Sequence, residues 1–278
     1  MSQVWFITGA SRGIGAHIAR AALQAGHRVV ATGRKLAPLR KAFTDVPSEN
    51  LALVELDVSS EAQARQAVQA AVERFGRIDV LVNNAGYGQL GYFEEISAGA
   101  IEQQFATNVF GVMHVMRAAL PVMRRQRAGH VFNLSSIGGA LGFEGSSIYC
   151  ASKFAVEGLS ASVALEVAQF GIKVTVVEPG FFRTDFLDAN SIRYGDGALD
   201  GYASASAARD TYEAYNRRQA GDPAKLGAAL VEIAAMAEPP KQFLAGSDAV
   251  GYISEALQGR LDEIRAFAAL SRSTDGKF

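Results

Sequence analysis

Short, mostly apolar runs alternate along the chain with longer stretches in which apolar residues return every three or four positions. The runs at Val4–Ile7, 28–32, 51–56, 79–82, 130–134 and 173–177 have the length of buried strands. Between them lie helical faces. Ile14, Ile18 and Ala22 form one, with Gly26 as a stop, and 36–43 is a short helix. Val68, Val72 and Phe75 form another, closed by Gly76. The longest stripe is Ile101, Phe105, Val109, Val112, Met116, Leu120 and Met123. A helix carrying Tyr149 and Lys153 presents the small residues Ala151, Ala155, Gly158 and Ser162, a narrow face that admits another backbone. Strand and helix thus alternate six times, which predicts an α/β, doubly wound parallel sheet with helices on both faces.

The rhythm breaks at 181–220. There Arg183, Arg193, Arg209, Arg217 and Arg218 alternate with Phe182, Phe186, Tyr194, Tyr202, Tyr212 and Tyr215, and Gly195, Gly197 and Gly201 interrupt the middle. A segment this long between regular elements reads as a substrate lid or as a loosely ordered insertion. Asp222-Pro223 then supplies an N-cap and first residue for a further helix. A last strand at 241–245 and a closing helix at 252–270 complete the chain. No linker or repeat divides it, so the expectation is one domain over residues 1–278, with the lid inserted at about 181–220.

Composition narrows the function. Of 278 residues 49% are apolar, ample for a core, and the formal charge of −1 leaves no basic excess for a nucleic-acid backbone. No window of eighteen apolar residues exists to span a membrane, and the start MSQVWFITGAS shows no signal peptide. The single cysteine, Cys150, excludes an intrachain disulfide framework and suits a reducing compartment. A soluble cytoplasmic protein is therefore expected. The four histidines are scattered, so no metal site is expected. Cys150 has no histidine partner in sequence and reads as a packed, inert thiol.

Candidate chemistry begins at the first strand–helix junction. TGASRGIG, residues 8–15, places Gly9, Ser11, Arg12, Gly13, Ile14 and Gly15 where backbone N–H groups and a helix start can meet a phosphate. The spacing departs from G-x-G-x-x-G, but the glycines serve the same close approach. Where strand two of an NAD enzyme carries an acid for the ribose 2′-hydroxyl, this chain has Gly33 and Arg34. Arg34, with Arg12, suits a 2′-phosphate, favouring NADP(H) over NAD(H); the alternative is two solvated surface charges. Asp57, beside Val58, can accept from an adenine amine or cap the next helix. Asn83-Asn84-Ala85-Gly86 leaves the carboxyl end of strand four, where a ligand crevice forms. Asn108 is a poor residue for a helix interior, so a special role or a surface amide is open.

Tyr149 and Lys153 stand four apart, on one helical face, and Ser136 precedes them across a glycine-rich turn. A hydroxyl, a phenol and an ammonium in one volume can bind a carbonyl oxygen and give it a proton. A positive charge beside the phenol lowers its pKa. Phe143, Phe182 and Phe186 suggest an apolar substrate pocket; lid packing is the alternative.

Taken together and in order, Thr8-Gly9-x-x-x-Gly13-Ile14-Gly15, Asn83-Asn84-Ala85-Gly86, Asn108, Ser136 with Tyr149-x-x-x-Lys153, and Pro179-Gly180 with Thr184 resemble the short-chain dehydrogenase/reductase family. The likeness is strong over about residues 3–185. It implies a seven-stranded Rossmann sheet, a nicotinamide cofactor and hydride transfer between it and a carbonyl or secondary alcohol. It implies catalysis by Asn108, Ser136, Tyr149 and Lys153. Ser136 would hold the substrate oxygen and Tyr149 would act as general acid/base. Lys153 would lower the Tyr pKa and bind the nicotinamide ribose, and Asn108 would position a water leading to Lys153. Asn83, Ala85 and Gly86 would flank the adenosine half, and Pro179, Gly180 and Thr184 the nicotinamide end. Homodimers or homotetramers through the two long helices are implied as well. Two other readings are a catalytically silent NADP(H) sensor or scaffold, and an NAD-dependent alcohol dehydrogenase.

Overall fold

The computed structural model describes residues 2–188, 191–195, 209, 210, 212, 214 and 216–276. Gly197, Gly201, Tyr202 and Tyr215 of the arginine- and aromatic-rich segment lie outside them.

The chain opens with β1 (Val4–Ile7), α1 (Gly13–Gln24), β2 (Arg28–Gly33), α2 (Leu36–Ala42), β3 (Leu51–Glu55), α3 (Glu61–Phe75) and β4 (Val80–Asn83). Next come β5 (Gly88–Leu90), α4 (Ala98–Phe105), a π turn at Ala106–Phe110, and α5 (Gly111–Gln126). β6 (Gly129–Leu134), α6 (Ser147–Val167), β7 (Ile172–Pro179) and β8 (Ile192–Tyr194) follow. α7 (Pro223–Ala235), β9 (Gln242–Ala245) and α8 (Ser247–Arg272) complete it.

Seven strands pair in the order β3-β2-β1-β4-β6-β7-β9, all parallel. The order reverses between β1 and β4, and a crevice opens there beyond the carboxyl ends of the strands. Successive side chains of one strand feed opposite faces. Val4 and Phe6 enter a core shared with α3, α5 and α6, whereas Trp5 and Ile7 enter one shared with α1, α2 and α7. Burial on both faces explains why the strands read as unbroken apolar runs.

Local signals set several helix ends. Ser60 caps α3 by accepting from Gln63 N, and Gly76 ends it in the left-handed region at φ 79°. Asp222 caps α7 through Ala224 N, with Pro223 in its first turn. The stripe from Ile101 to Met123 predicts one regular helix, but the structure breaks it into α4, the π turn and α5. The closing helix begins at Ser247, earlier than its stripe predicts. β5 and β8, absent from the sequence reading, form a second parallel pair with Gln89 opposite Arg193. It ties the start of the 181–220 segment to the loop after β4. On the small-residue face of α6, nothing among the described residues lies within 4 Å of a Cβ placed at Gly158. No helix among the described residues is long and apolar enough to cross a membrane, and no metal-binding cluster is found among them.

Candidate active site

The glycine-rich turn is shaped by what its glycines leave out. Gly9 has φ +65°, and a Cβ there would lie 2.9 Å from Ala85 Cα. Gly13 has φ +55°. Such angles suit glycine, and the first lets the turn pack on the loop after β4. Asn84 locks the arrangement by donating from Nδ2 to Thr8 O at 2.9 Å and Gly9 O at 3.1 Å. Its own N–H donates to Thr8 Oγ1 at 2.9 Å. At Arg12, which precedes α1, no side chain caps the helix, so its first-turn amides remain available to an anion.

One cleft gathers most of the residues singled out from sequence. Gly9, Ser11, Arg12, Gly13, Ile14, Arg34, Asp57, Val58, Ala85 and Gly86 line it. So do Ser136, Phe143, Tyr149, Lys153, Pro179, Gly180, Phe182, Thr184 and Phe186. Three lie elsewhere. Gly15 lies beneath the turn, against Asn84 and Gly9 O. Asn83, the last residue of β4, points away from the cleft and donates to Asn133 Oδ1 at 2.8 Å. The period of two along a strand puts its neighbour Asn84 on the cleft side instead. Asn108 is buried in the π turn, where it donates to Tyr87 O at 3.0 Å and Ser152 Oγ at 3.2 Å, and accepts from Tyr87 N at 3.2 Å. The π turn is the local form that lets this amide reach the Tyr87 backbone, and a polar residue inside an apolar stripe was its one sequence signal.

Ser136, Tyr149 and Lys153 converge. The Ser136 hydroxyl faces the Tyr149 phenol and accepts from Gly138 N at 3.1 Å. Gly138 makes room, since a Cβ there would lie 3.3 Å from Tyr149 Cε1. Lys153 Nζ stands 5.7 Å from the Tyr149 ring centroid and donates to Leu134 O at 2.7 Å. Burial lowers Lys153 to about 8, against a Coulombic pull from Glu157. Burial also pushes the Tyr149 phenol up, outweighing the opposing effect of the Ser136 hydroxyl, so the phenol holds its proton. Here the structure departs from the sequence expectation of a lysine-lowered phenol. The ammonium is turned to the Leu134 carbonyl, and desolvation dominates.

The wall over this group is aromatic. Phe186 lies 5.9 Å from Tyr149 between ring centroids, and Phe143 meets Tyr252 edge-on at 6.3 Å. Tyr212, from the 181–220 segment, bonds Ser146 through its hydroxyl at 3.0 Å. At the mouth Arg193 lies over the Tyr87 ring at 5.1 Å and donates to Gln103 Oε1 at 2.5 Å. Tyr87, Gln103 and the pairing of Arg193 with this wall carry no pattern in the sequence, since they meet only through the β5–β8 pair. Cys150 is buried with its thiol raised by burial, consistent with an inert packed group.

The donors and the steric openings fit a dinucleotide: a helix start that its N-cap residue does not cap by a side chain, a turn with Gly9, Gly13 and Gly15, and Arg12 and Arg34 on the same cleft. Comparison with known proteins agrees with that fit. Residues 3–194 match the short chain dehydrogenase family, to which the chain belongs. Among its relatives, an oxidoreductase of Botryotinia fuckeliana is 40% identical over 258 residues, covering 93% of this chain and 94% of the relative. A 3-ketodihydrosphingosine reductase of Bacteroides thetaiotaomicron is 41% identical over 241 residues, 86% of each chain. A short-chain dehydrogenase from Streptomyces avermitilis superposes with a TM-score of 0.90 at 37% identity, covering 99% of both chains. Neighbours solved with bound cofactor include a Burkholderia phymatum family member with NAD (25% identity, TM-score 0.80, 100% and 98% covered) and ElxO with NADP (28%, 0.75, 91% and 100%). The chain is thus an oxidoreductase of the short-chain dehydrogenase family, several of whose solved members hold NAD or NADP.

Proposed function

We propose that the protein is an NADP(H)-dependent carbonyl reductase, interconverting a ketone or aldehyde and its alcohol with Tyr149 as general acid/base. The observation that carries this reading is the convergence of Tyr149, Ser136 and Lys153 in a cleft that Arg12 and Arg34 also line. A bound NADPH supplies the hydride. Arg34 and Arg12 would hold its 2′-phosphate, the α1 start would take its pyrophosphate, and Asp57 and Val58 would flank the adenine. Ser136 holds the substrate oxygen and Tyr149 gives that oxygen its proton. A phenol that keeps its proton at rest suits the reducing direction. Lys153, close by, stabilises the phenolate as it forms. Asn108 fixes Tyr87 and the residue before Lys153, which steadies the route by which a proton returns.

The described residues of the 181–220 segment act as a lid over the substrate, supported by Phe186, Tyr212 and Arg193 on the cleft wall. Phe143, Phe182 and Phe186 favour an apolar substrate body, in line with the 3-ketodihydrosphingosine in the Bacteroides relative's name. Exposed Phe110, Phe154 and Leu165, on the π turn and α6, support a homodimer or homotetramer through the long helices.

The test is NADPH oxidation against a panel of aldehydes and ketones, with Tyr149→Phe beside the wild type. Turnover should fall at least about a hundredfold in the variant while NADPH affinity holds. Equal turnover in both proteins would remove Tyr149 from the chemistry. Tight NADPH binding without turnover on any carbonyl would favour a silent sensor.

A further inference from the structure

Behind the reactive group stands a second cluster of ionisable side chains. Glu157 lies on α6 one turn after Lys153, and Glu178 lies on β7 directly before Pro179 and Gly180. Glu178 is 2% exposed, and its carboxyl faces that of Glu157 closely enough for each to shift the other's proton affinity. Ser135, next to Ser136, and Gln242 of β9 also meet Glu157. Among the described residues, the cation that acts on Glu157 is Lys153. Asp248 of α8, which faces Gly180, is engaged with the Phe181 and Ala249 amides.

Two ionised carboxylates in contact repel and have only acceptors to offer. Glu157 Oε1, Glu178 Oε2 and Ser135 Oγ are all enclosed without a completed hydrogen bond. One proton held between the carboxyls removes the repulsion and supplies the missing donor. Burial acts in the same direction, raising Glu157 and, with the Glu157 charge, pushing Glu178 up to about 8. Gly139 lets the cluster close, since a Cβ there would strike Ser135 Oγ and lie 3.1 Å from Glu157 Oε1.

We propose that Glu157 and Glu178 are a proton-sharing positioning pair. Their single negative charge holds Lys153 in its ammonium form, and their bridge ties the Ser135-Ser136 segment to the strand end before Pro179-Gly180. Neither touches the reacting atoms; both act through Lys153 and the backbone they join. The kinetic consequence rests on the reductase reading above, whereas the shared proton does not.

Infrared spectra of the wild-type protein at neutral pH should show the carbonyl stretch of a buried, protonated carboxyl. The band should vanish in Glu157→Gln and in Glu178→Gln, because the glutamine amide then supplies the bridging hydrogen to an ionised partner. In Glu157→Gln/Glu178→Gln the counter-charge is gone. The high-pH limb of kcat/KM should then fall by at least about one pH unit, a tenfold loss above the limb. Each single variant keeps one negative charge and should keep the limb where the wild type has it. A purely structural pair would lower stability without moving the limb. Absence of the band from the wild type, its survival in both single variants, or an unmoved limb in the double variant overturns the pair. The infrared arm decides the matter if the double variant does not fold. Turnover surviving in Tyr149→Phe would instead overturn the reductase reading and leave the band untouched.

Discussion

Gly15→Ala perturbs the cleft without adding charge or removing a polar group. A Cβ at this position would collide with Asn84 Nδ2 and lie 2.6 Å from Gly9 O. The carbonyl belongs to the backbone of a turn already held at φ +65° by its packing on Ala85, so it has little room to yield. The Asn84 amide must then swing away, losing its bonds to Thr8 O at 2.9 Å and Gly9 O at 3.1 Å. Two hydrogen bonds contribute about 1 kcal/mol each, and an overpacked methyl costs about 1–3 kcal/mol. These terms share one relaxation, so the expected loss is about 3 kcal/mol rather than their sum. Because Asn84 and Gly9 both line the cleft, NADPH affinity should fall at least about tenfold, or 1.4 kcal/mol. Urea unfolding measures the first quantity and a fluorescence titration with NADPH the second. Gly259→Ala, inside α8 with nothing within 4 Å of the new Cβ, is the control and should stabilise by about 1 kcal/mol. A Gly15→Ala protein within about 0.5 kcal/mol of wild type and with unchanged NADPH affinity would refute the reasoning, since surface changes alone stay in that range.

The cofactor preference and the acid sensitivity are open to equally direct tests. Arg34→Ala should weaken NADPH binding about tenfold or more and leave NADH binding within about twofold, because only the 2′-phosphate loses a charge-assisted partner; equal losses for both would place Arg34 outside that pocket. His130 is buried, stacks on Phe132 and bonds Thr175 Oγ1 through Nε2 at 2.9 Å, and burial lowers it to about 3. Its folded pKa lies below its unfolded value, so the unfolded chain binds the extra proton. The stability from the neutral ring is therefore complete above about pH 6.5 and fades by about 1.4 kcal/mol per pH unit down towards pH 3. His130→Phe should lose less stability than wild type over that interval in denaturant titrations at each pH; parallel decline in the two proteins would show that other groups dominate.

The sequence alone carried the sheet, because each parallel strand is buried on both faces and declares itself as an apolar run. It also carried the candidate catalytic set, because Tyr149 and Lys153 lie one helical turn apart and Ser136 follows the carboxyl end of a strand, positions that local geometry nearly imposes. The family's glycine turn and the exchange of an acid for Arg34 were legible for the same reason: each is a short-range pattern. Tertiary structure decided what depends on which side chains meet. It separated Asn84, facing the cleft, from Asn83, turned to Asn133, a difference that one step along a strand inverts. It placed Asn108 in a π turn that no regular periodicity encodes. It joined β5 to β8, setting Arg193 over Tyr87 across more than a hundred residues of chain. It also buried Glu157 against Glu178, two glutamates that in sequence resemble any solvated charge. Burial itself turned the phenol and the lysine away from their ordinary proton affinities, and burial is a property of the packed molecule that no single segment of the chain contains.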